Sequence, residues 1–205
     1  MNVVKETIRY YRKYSYSDFV QPTLTANGSF GGSAMAVSHT FGSKNSSWGT
    51  TYTVFSPNTD KLGFYCDEYK GHMYIYIYLP KPTRLTHLSF YVPHTSDSSG
   101  GAYNTKLYAG YSPTDRRVLI KDIGKIAEKN SCNVNLTNAN YFNYYTLYIE
   151  NGGSAYEDQV EIKDVLLSGV CREVVNGTSQ DYDFIEENNT YKAIVENEYY
   201  KAFKF

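Results

Sequence analysis

The sequence predicts an all-β fold, an antiparallel β-sandwich or barrel, from three observations. Short β-rich segments recur along the chain, each bounded by Gly, Pro, Asn or Ser. The 23 tyrosines, 10 phenylalanines and 1 tryptophan make up 17% of the residues, and aromatic side chains fit pleated strands. Only one segment has a helical pattern, so strands dominate. With 205 residues the chain has room for one core plus an extension.

The clearest strand is the run Met73-Tyr74-Ile75-Tyr76-Ile77-Tyr78-Leu79, in which aliphatic residues and tyrosines alternate. On a strand this alternation places the aliphatic residues on one face and the three tyrosines on the other. The aliphatic face is expected to face the core. The tyrosine face is either covered by a second layer or displayed as an aromatic surface, and the sequence leaves both alternatives open.

Five further segments have the same β-rich, punctuated character, and residues 121–129 fit a short helix with Ile123, Ile126 and Ala127 on one face. The further strands are 85–92, 105–110, 118–120, 144–150 and 159–167. Alternation within the strands predicts a shared core. Its members are Met73, Ile75, Ile77, Leu79, Leu88, Phe90, Leu107, Leu147, Ile149, Ile162 and Leu166.

The chain is predicted to divide into an N-terminal arm (1–20), a sandwich (21–169) and a C-terminal β-rich extension (170–205). In the extension, 191–195 and 199–203 are predicted to pair as a β-hairpin around Glu196-Asn197-Glu198. A lone hairpin is marginal in water, so it is expected to dock on the sandwich or on another chain.

The N-terminal arm carries an aromatic and basic stretch with Tyr10, Tyr11, Arg12 and Tyr14. These four residues are predicted to anchor the chain to a partner, by adding a strand or by clasping an acidic surface. The alternative is that the arm is a strand of the chain's own sheet.

Charge gives no support for a nucleic-acid or membrane partner. The formal net charge is -1, with Lys+Arg 20 and Asp+Glu 21, so no whole-molecule field favours polyanions or anionic lipids. No apolar run is long enough for a membrane span. The adjacent Arg116 and Arg117 are too few for a nucleic-acid footprint, although an arginine there suits a sugar or a neighbouring carboxylate.

Motifs of catalysis, cofactor binding and metal binding are not found in the sequence, which predicts a non-enzyme without cofactor or metal. The three cysteines have no metal-ligand spacing, either among themselves or with the four His. They are expected to be reduced and buried. They are Cys66, Cys132 and Cys171.

Two Gly- and Ser-rich loops, 39–51 and 93–103, are the predicted recognition surface, because loops at a sandwich end can converge. Trp48, Tyr52 and Tyr103 are the candidate aromatic anchors for a glycan, and Asn45 and Asp97 the candidate hydrogen-bonding partners of its hydroxyls. The alternative for Trp48 is that it plugs the sandwich end.

Several segments, in this order, resemble galactose-binding-like modules of bacteriophage tail-fibre and virion proteins. They are Gln21-Pro22-Thr23-Leu24-Thr25-Ala26-Asn27-Gly28 continuing to Val37, Leu79-Pro80-Lys81-Pro82 as a strand running into a Lys-Pro turn, 85–90 as the next strand, Leu107-Tyr108-Ala109-Gly110-Tyr111-Ser112, and 160–169. The end of the chain, from Thr178-Ser179-Gln180-Asp181-Tyr182-Asp183-Phe184, is similar to a tail motif of such phage proteins.

The resemblance implies a discoidin-like jelly roll, and with it a virion structural protein that displays a carbohydrate-binding sandwich for host attachment. Such a protein is a head or tail decoration or a fibre component. Its partners are other virion proteins in an oligomeric assembly and host cell-surface glycans, and its location is the virion, assembled in the host cytoplasm. Two alternatives are a purely architectural protein without a ligand and a free-standing glycan-binding module. Relatives have an Ala-Phe-Asp-Gly turn and a tryptophan where this chain has Val54-Phe55-Ser56-Pro57 and Gly63-Phe64-Tyr65, so their structural calcium and stacking platform are not carried over.

Overall fold

The computed structural model describes residues 11–40, 50–56, 64–66, 72–93, 101–151, 160–175, 184–187, 190–193 and 200–202. These residues form strands and one short 3₁₀ helix, Thr51–Phe55, between the second and third strands. The strands are β1 (Tyr11–Phe19), β2 (Ala36–Thr40), β3 (Phe64–Cys66), β4 (His72–Val92), β5 (Gly101–Gly110), β6 (Val118–Ala127), β7 (Asn130–Asn135), β8 (Phe142–Asn151), β9 (Val160–Val175), β10 (Phe184–Glu187), β11 (Thr190–Ala193) and β12 (Tyr200–Ala202).

The strand pairs with a defined register are antiparallel, which confirms the predicted all-β antiparallel class. The chain falls into two compact units, one made of Met1–Tyr16 and Arg172–Phe205 and the other of Ser17–Cys171. The boundaries predicted from the sequence, after residues 20 and 169, stay predictions.

Within the larger unit, β4 belongs to both layers of a β-sandwich. Its first half pairs with β2 and β8, and β8 continues through β5 to β6. Its second half pairs with β7 and β9, and β9 also pairs with β3. The β4–β8 register shifts between Tyr78 and Thr83, around Pro80 and Pro82. Since proline has no N–H to donate, pairing is interrupted where the strand leaves one layer for the other.

The Lys-Pro turn predicted at Leu79-Pro80-Lys81-Pro82 is wrong, because the chain stays extended through these residues as part of β4.

The predicted core is confirmed for ten of its eleven members. Aliphatic residues of β4 face the same interior as residues of β5, β8 and β9, as the alternation predicts. The buried members are Met73, Ile75, Ile77, Leu79, Leu88, Phe90, Leu107, Leu147, Ile149 and Ile162.

Leu166 is the one wrong member, with 43% of its surface exposed. Asp164 has a φ of 52°, in the left-handed region, and the β4–β9 register shifts between Ser89 and Tyr91. This irregularity is a β-bulge: β9 has one residue more than β4 between the two pairs, so the side chains after the bulge point to the opposite face of the sheet from the one that simple alternation predicts. Val165 and Leu167 therefore point inward and Leu166 outward.

The side chain of Gln21 satisfies backbone groups beside this bulge. Its Nε2 donates to the carbonyl oxygens of Val165, at 2.8 Å, and of Phe55, at 3.0 Å. Its Oε1 accepts a hydrogen bond from the Leu167 N–H at 2.8 Å. One amide side chain thus fixes β9 and the end of the 3₁₀ helix to the start of the sandwich.

The predicted helix at 121–129 is wrong, because β6 occupies Val118–Ala127 and pairs with β5. Gly124, at a φ of 78°, lies at an irregular point within the strand, where the register shifts on both sides of its partner Thr105. Ile126 is buried while Ala127 is exposed, as alternation on a strand requires. Cross-strand pairing here outweighs the local helical pattern.

The C-terminal extension contains paired antiparallel strands, as predicted, but in the described residues they are not the predicted pair of 191–195 with 199–203. β11 pairs instead with β10, with Phe184 opposite Ala193, and only Asn188 and Asn189 separate the two strands in sequence. β12 pairs with β1, with Tyr11 opposite Ala202.

Two of the three cysteines are buried free thiols, as predicted. They are Cys132 and Cys171. Burial raises the pKa of the Cys132 thiol to about 11, so it stays protonated and unreactive at neutral pH. The side chain of Cys66 lies outside the described residues.

Tyr145 on β8 is expected to stabilise the point where β4 changes layers. Its fully buried hydroxyl donates to the Thr83 carbonyl oxygen at 2.6 Å and accepts from the Leu85 N–H at 3.4 Å. Replacing Tyr145 with Phe leaves both backbone groups without this partner. We expect the free energy of unfolding at pH 7 to fall by about 1 to 2 kcal/mol, measured by urea denaturation.

The effect of this substitution is expected to shrink at high pH. Burial raises the pKa of Tyr145 above its ordinary value, which is about 10 in the unfolded chain. The stability that the protonated hydroxyl contributes is therefore complete below pH about 10 and is lost as the pH rises further. A difference between wild type and Tyr145→Phe that grows above pH 10 contradicts this assignment.

Candidate functional site

The candidate site lies on the outer face of the layer formed by β4, β8 and β5. Opposite the buried aliphatic residues, the strand register sets Tyr78 beside Tyr144, Tyr76 beside Thr146 and Tyr74 beside Tyr148. The sequence left open whether this tyrosine face is covered or displayed. The structure shows both conditions, one at each end of the face.

At one end, Phe30 covers the tyrosine face. Its ring stacks on Tyr78, with the ring centroids 5.9 Å apart, and lies 6.4 Å from Tyr144. The Tyr78 hydroxyl donates to the Gly32 carbonyl oxygen at 3.0 Å. Gly28, at a φ of 75°, lets the loop lie against β2, since a Cβ there meets the Ala36 side chain at 3.0 Å. Tyr78 is therefore buried.

At the other end, the tyrosine face opens into a cleft of about 460 Å³. Three cross-strand neighbours form its floor, because Tyr148 on β8 pairs with Tyr74 on β4 and with Lys106 on β5. The cleft is lined by Tyr74, Asn104, Lys106, Tyr108, Arg116, Tyr148 and Glu150. It combines aromatic rings with both signs of charge.

Glu150 is the one acidic residue among the described residues that line the cleft. Its Oε1 accepts hydrogen bonds from Asn104 Nδ2, at 2.7 Å, and from the Tyr148 hydroxyl. Asn104 has a φ of 42°, and the β5–β8 register shifts between Tyr103 and Lys106. This irregularity directs the Asn104 amide toward Glu150. Burial and the contact with Glu150 raise the pKa of Tyr148, so its hydroxyl remains a donor at neutral pH.

Arg116 reaches the cleft from the loop between β5 and β6, and its guanidinium carbon lies 4.2 Å from the centroid of the Tyr74 ring. Asp115 fixes this loop, because its carboxylate accepts from the Tyr111 N–H at 3.0 Å and from the Arg117 N–H at 3.2 Å. Gly110 allows the loop to close, since a Cβ there meets the Asp115 carbonyl oxygen at 2.3 Å.

The recognition residues predicted from the sequence do not line this cleft where the structure describes them. Tyr52 is half-buried in the 3₁₀ helix, and its N–H donates to Asn27 Oδ1 at 3.0 Å. Tyr103 is half-buried, with Lys125 Nζ donating to its hydroxyl at 2.6 Å. Asn45, Trp48 and Asp97 lie outside the described residues. The convergence of their two loops stays a prediction.

The predicted anchoring residues lie in or next to β1. The backbones of Tyr11 and Arg12 pair with Ala202 and Lys201 of β12, a strand of the chain's own, which corresponds to the second alternative for the arm. The centroid of the Tyr14 ring lies 4.5 Å from the guanidinium carbon of Arg172. Tyr10 lies outside the described residues. Anchoring to a partner stays a prediction.

Sequence reasoning noted the tyrosines of the run from Met73 to Leu79 and Arg116. It missed the other residues of the cleft lining, which are Asn104, Lys106, Tyr108, Tyr148 and Glu150. Within the described ranges, no three or more His, Cys, Asp or Glu residues are grouped to hold a metal ion. In the same ranges, no helix has the length and apolar character needed to cross a membrane.

The chain is thus an antiparallel β-sandwich with an open, tyrosine-lined cleft on one layer. No protein-family model and no curated protein matches it. Similar solved structures include CpGH89CBM32-5 from Clostridium perfringens, in complex with GalNAc-β-1,3-galactose, at 12% identity over 67% of this chain and 94% of that chain, with a TM-score of 0.44. The C-terminal domain of a chitobiase from Bacteroides fragilis is 14% identical over 69% of this chain and 95% of that chain, with a TM-score of 0.46.

A third similar structure is CBM32-1 from a family 31 glycoside hydrolase of Clostridium perfringens, at 11% identity over 63% of this chain and 94% of that chain, with a TM-score of 0.42. These likenesses are distant, and the class stated above rests on the chain's own strand pairing.

Proposed function

We propose that this chain is a carbohydrate-binding module without catalytic activity of its own, and that the tyrosine-lined cleft holds the sugar. The observation that carries the proposal is the joint presence of an aromatic wall and hydrogen-bonding side chains in one open cleft. Tyr108 supplies the wall, because it is half-buried and its ring makes no aromatic or cationic contact among the described residues. An aromatic ring offers an apolar platform for the face of a sugar.

The polar groups around Tyr108 suit hydroxyl recognition. Glu150 Oε2 accepts no hydrogen bond from the described residues and is available to accept from sugar hydroxyls. Lys106 and Arg116 are donors for ring and hydroxyl oxygens. A few polar groups converging beside an apolar wall are the usual means by which a small-ligand site fixes orientation.

Binding without hydrolysis is supported by the single carboxylate, Glu150, in the described lining of the cleft. Glycoside hydrolysis ordinarily uses a pair of carboxylates across the scissile bond, one of them as general acid. In this cleft Oε1 of Glu150 is already held by Asn104 and by Tyr148. Glu150 is the one carboxylate among the described residues of the lining, so the lining supplies no second carboxylate for such a pair.

A virion role remains a prediction from the sequence resemblance. The three solved structures reported above are named as carbohydrate-binding modules and as a chitobiase domain, and none of these three names refers to a phage protein. The free-standing glycan-binding alternative agrees with the cleft, and it requires no virion partner.

Replacing Tyr108 with Ala is expected to weaken saccharide binding at least about tenfold, since stacking buries most of one ring face. A glycan microarray identifies the saccharide, and titration calorimetry then measures its affinity. Tyr111→Ala is the matched control, because Tyr111 is 70% exposed in the neighbouring loop and does not line the cleft. Equal affinities for Tyr108→Ala and wild type, or an array without any bound saccharide, contradict the proposal.

A further inference from the structure

Two cations, Lys106 and Arg116, line the cleft without a charged partner in the part of the chain that the structure describes. Among the described residues, neither Lys106 nor Arg116 forms an ion pair, and the Arg116 N–H groups donate to no acceptor there. Arg117, next in the chain, does have a partner, with its Nε 3.3 Å from Asp115 Oδ1. The loop thus neutralises one arginine and presents the other to the cleft.

Arg116 is also held in place before any ligand arrives. Asp115 fixes the backbone on both sides of it, and its guanidinium lies against the Tyr74 ring. A cation over an aromatic face is attracted by the ring while its N–H groups remain able to donate. Such preorganisation lowers the entropy lost when a ligand binds.

The nearby carboxylates of Asp122 and Glu150 form no ion pair with Lys106 or Arg116. Asp122 on β6 is paired in register with Lys106, yet no ion pair joins them. Glu150 directs one oxygen to Asn104 and Tyr148 rather than to a lysine or an arginine. With the chain at a net charge of -1, the positive charge is local to the cleft.

We infer that the saccharide held in this cleft is acidic, and that Arg116 and Lys106 bind its carboxylate or sulfate group. The inference rests on the proposed function, because it names the class of sugar for the same site. Arginine presents a planar fork of donors that matches a carboxylate or sulfate, and lysine adds a point charge. The Tyr108 ring and Glu150 Oε2 then serve the neutral part of the same sugar.

The test uses the full chain and a microarray of oligosaccharides that share neutral backbones and differ by a uronic acid, a sialic acid or a sulfate. We expect the acidic members to bind more tightly than their neutral counterparts, and the three acidic groups to distinguish carboxylate from sulfate as the source of charge. Raising NaCl is expected to weaken their binding by wild type, a readout that needs no variant.

Arg116→Gln and Lys106→Gln are each expected to weaken binding of the acidic probe about tenfold, measured by calorimetry. Lys121→Gln, which removes the same charge from an exposed position outside the cleft, is the matched control and is expected to bind like wild type. Circular dichroism checks that each variant is folded.

Two outcomes separate this inference from the proposed function. Equal binding of neutral and acidic probes, unchanged by salt and by Arg116→Gln but weakened by Tyr108→Ala, overturns the acidic ligand and leaves carbohydrate binding intact. An array on which wild type binds neither kind of saccharide overturns both.

Discussion

Replacing Ile77 with Ala is expected to lower the free energy of unfolding by about 2 to 5 kcal/mol. Ile77 has no exposed surface, and on β4 it lies between Val37 of β2 and Tyr145 of β8 in the strand register. The truncated side chain leaves a cavity that paired backbones on both sides prevent from collapsing. Urea denaturation followed by circular dichroism measures the change.

Leu166→Ala is the matched control for Ile77→Ala. It removes aliphatic atoms from a strand of the same sandwich, but the bulge at Asp164 has turned Leu166 outward, to 43% exposure. We expect it to cost less than about 1 kcal/mol. If Ile77→Ala and Leu166→Ala lower the free energy of unfolding equally, Leu166 cannot point outward from β9.

Replacing Gly110 with Ala is expected to cost about 3 kcal/mol, the upper end of the range for overpacked sites. An added Cβ meets the Asp115 carbonyl oxygen at 2.3 Å and the carbonyl carbon at 2.7 Å. Backbone atoms cannot rotate away as a flexible side chain does, so the loop must move. Because that loop carries Arg116, the substitution is expected to weaken ligand binding as well as stability, by calorimetry and urea denaturation.

Gly124→Ala controls for the general effect of replacing a strand glycine. Gly124 has a φ of 78°, but an added Cβ there meets nothing within 4 Å. The expected cost is about 1 kcal/mol, from backbone strain alone. If Gly124→Ala lowers the free energy of unfolding more than Gly110→Ala does, the close approach of the Asp115 backbone is not the reason that residue 110 is a glycine.

The fold was predictable where one local pattern determines the outcome. Alternation in the run from Met73 to Leu79 identifies a strand and its buried face without knowledge of its partners. Leu166 was wrongly assigned to the core, because a β-bulge at Asp164 shifts the alternation of buried and exposed residues by one position. The residue types that flank Asp164 do not indicate a bulge. The helix predicted at 121–129 failed because pairing with β5 is a long-range effect.

The site was predictable only in part, for a similar reason. The tyrosine face and Arg116 are visible in single segments of the sequence. Lys106 and Glu150 join them through the registers of β5 with β8 and of β8 with β4, which one sequence does not specify. Asn104 reaches Glu150 only because β5 is irregular at that point.

The sharing of β4 between two layers has a consequence for how the chain is made. Among the described strands that pair with β4, β2 precedes it in the chain, while β7, β8 and β9 follow. During synthesis its second half therefore emerges from the ribosome with no partner yet made. Contacts such as Thr83 with Cys171 span 88 residues, and topologies dominated by such non-local pairing fold slowly. Until β9 has been synthesised, one edge of this second half stays unpaired, and unpaired strand edges of this kind are the ones that chaperones protect from aggregation.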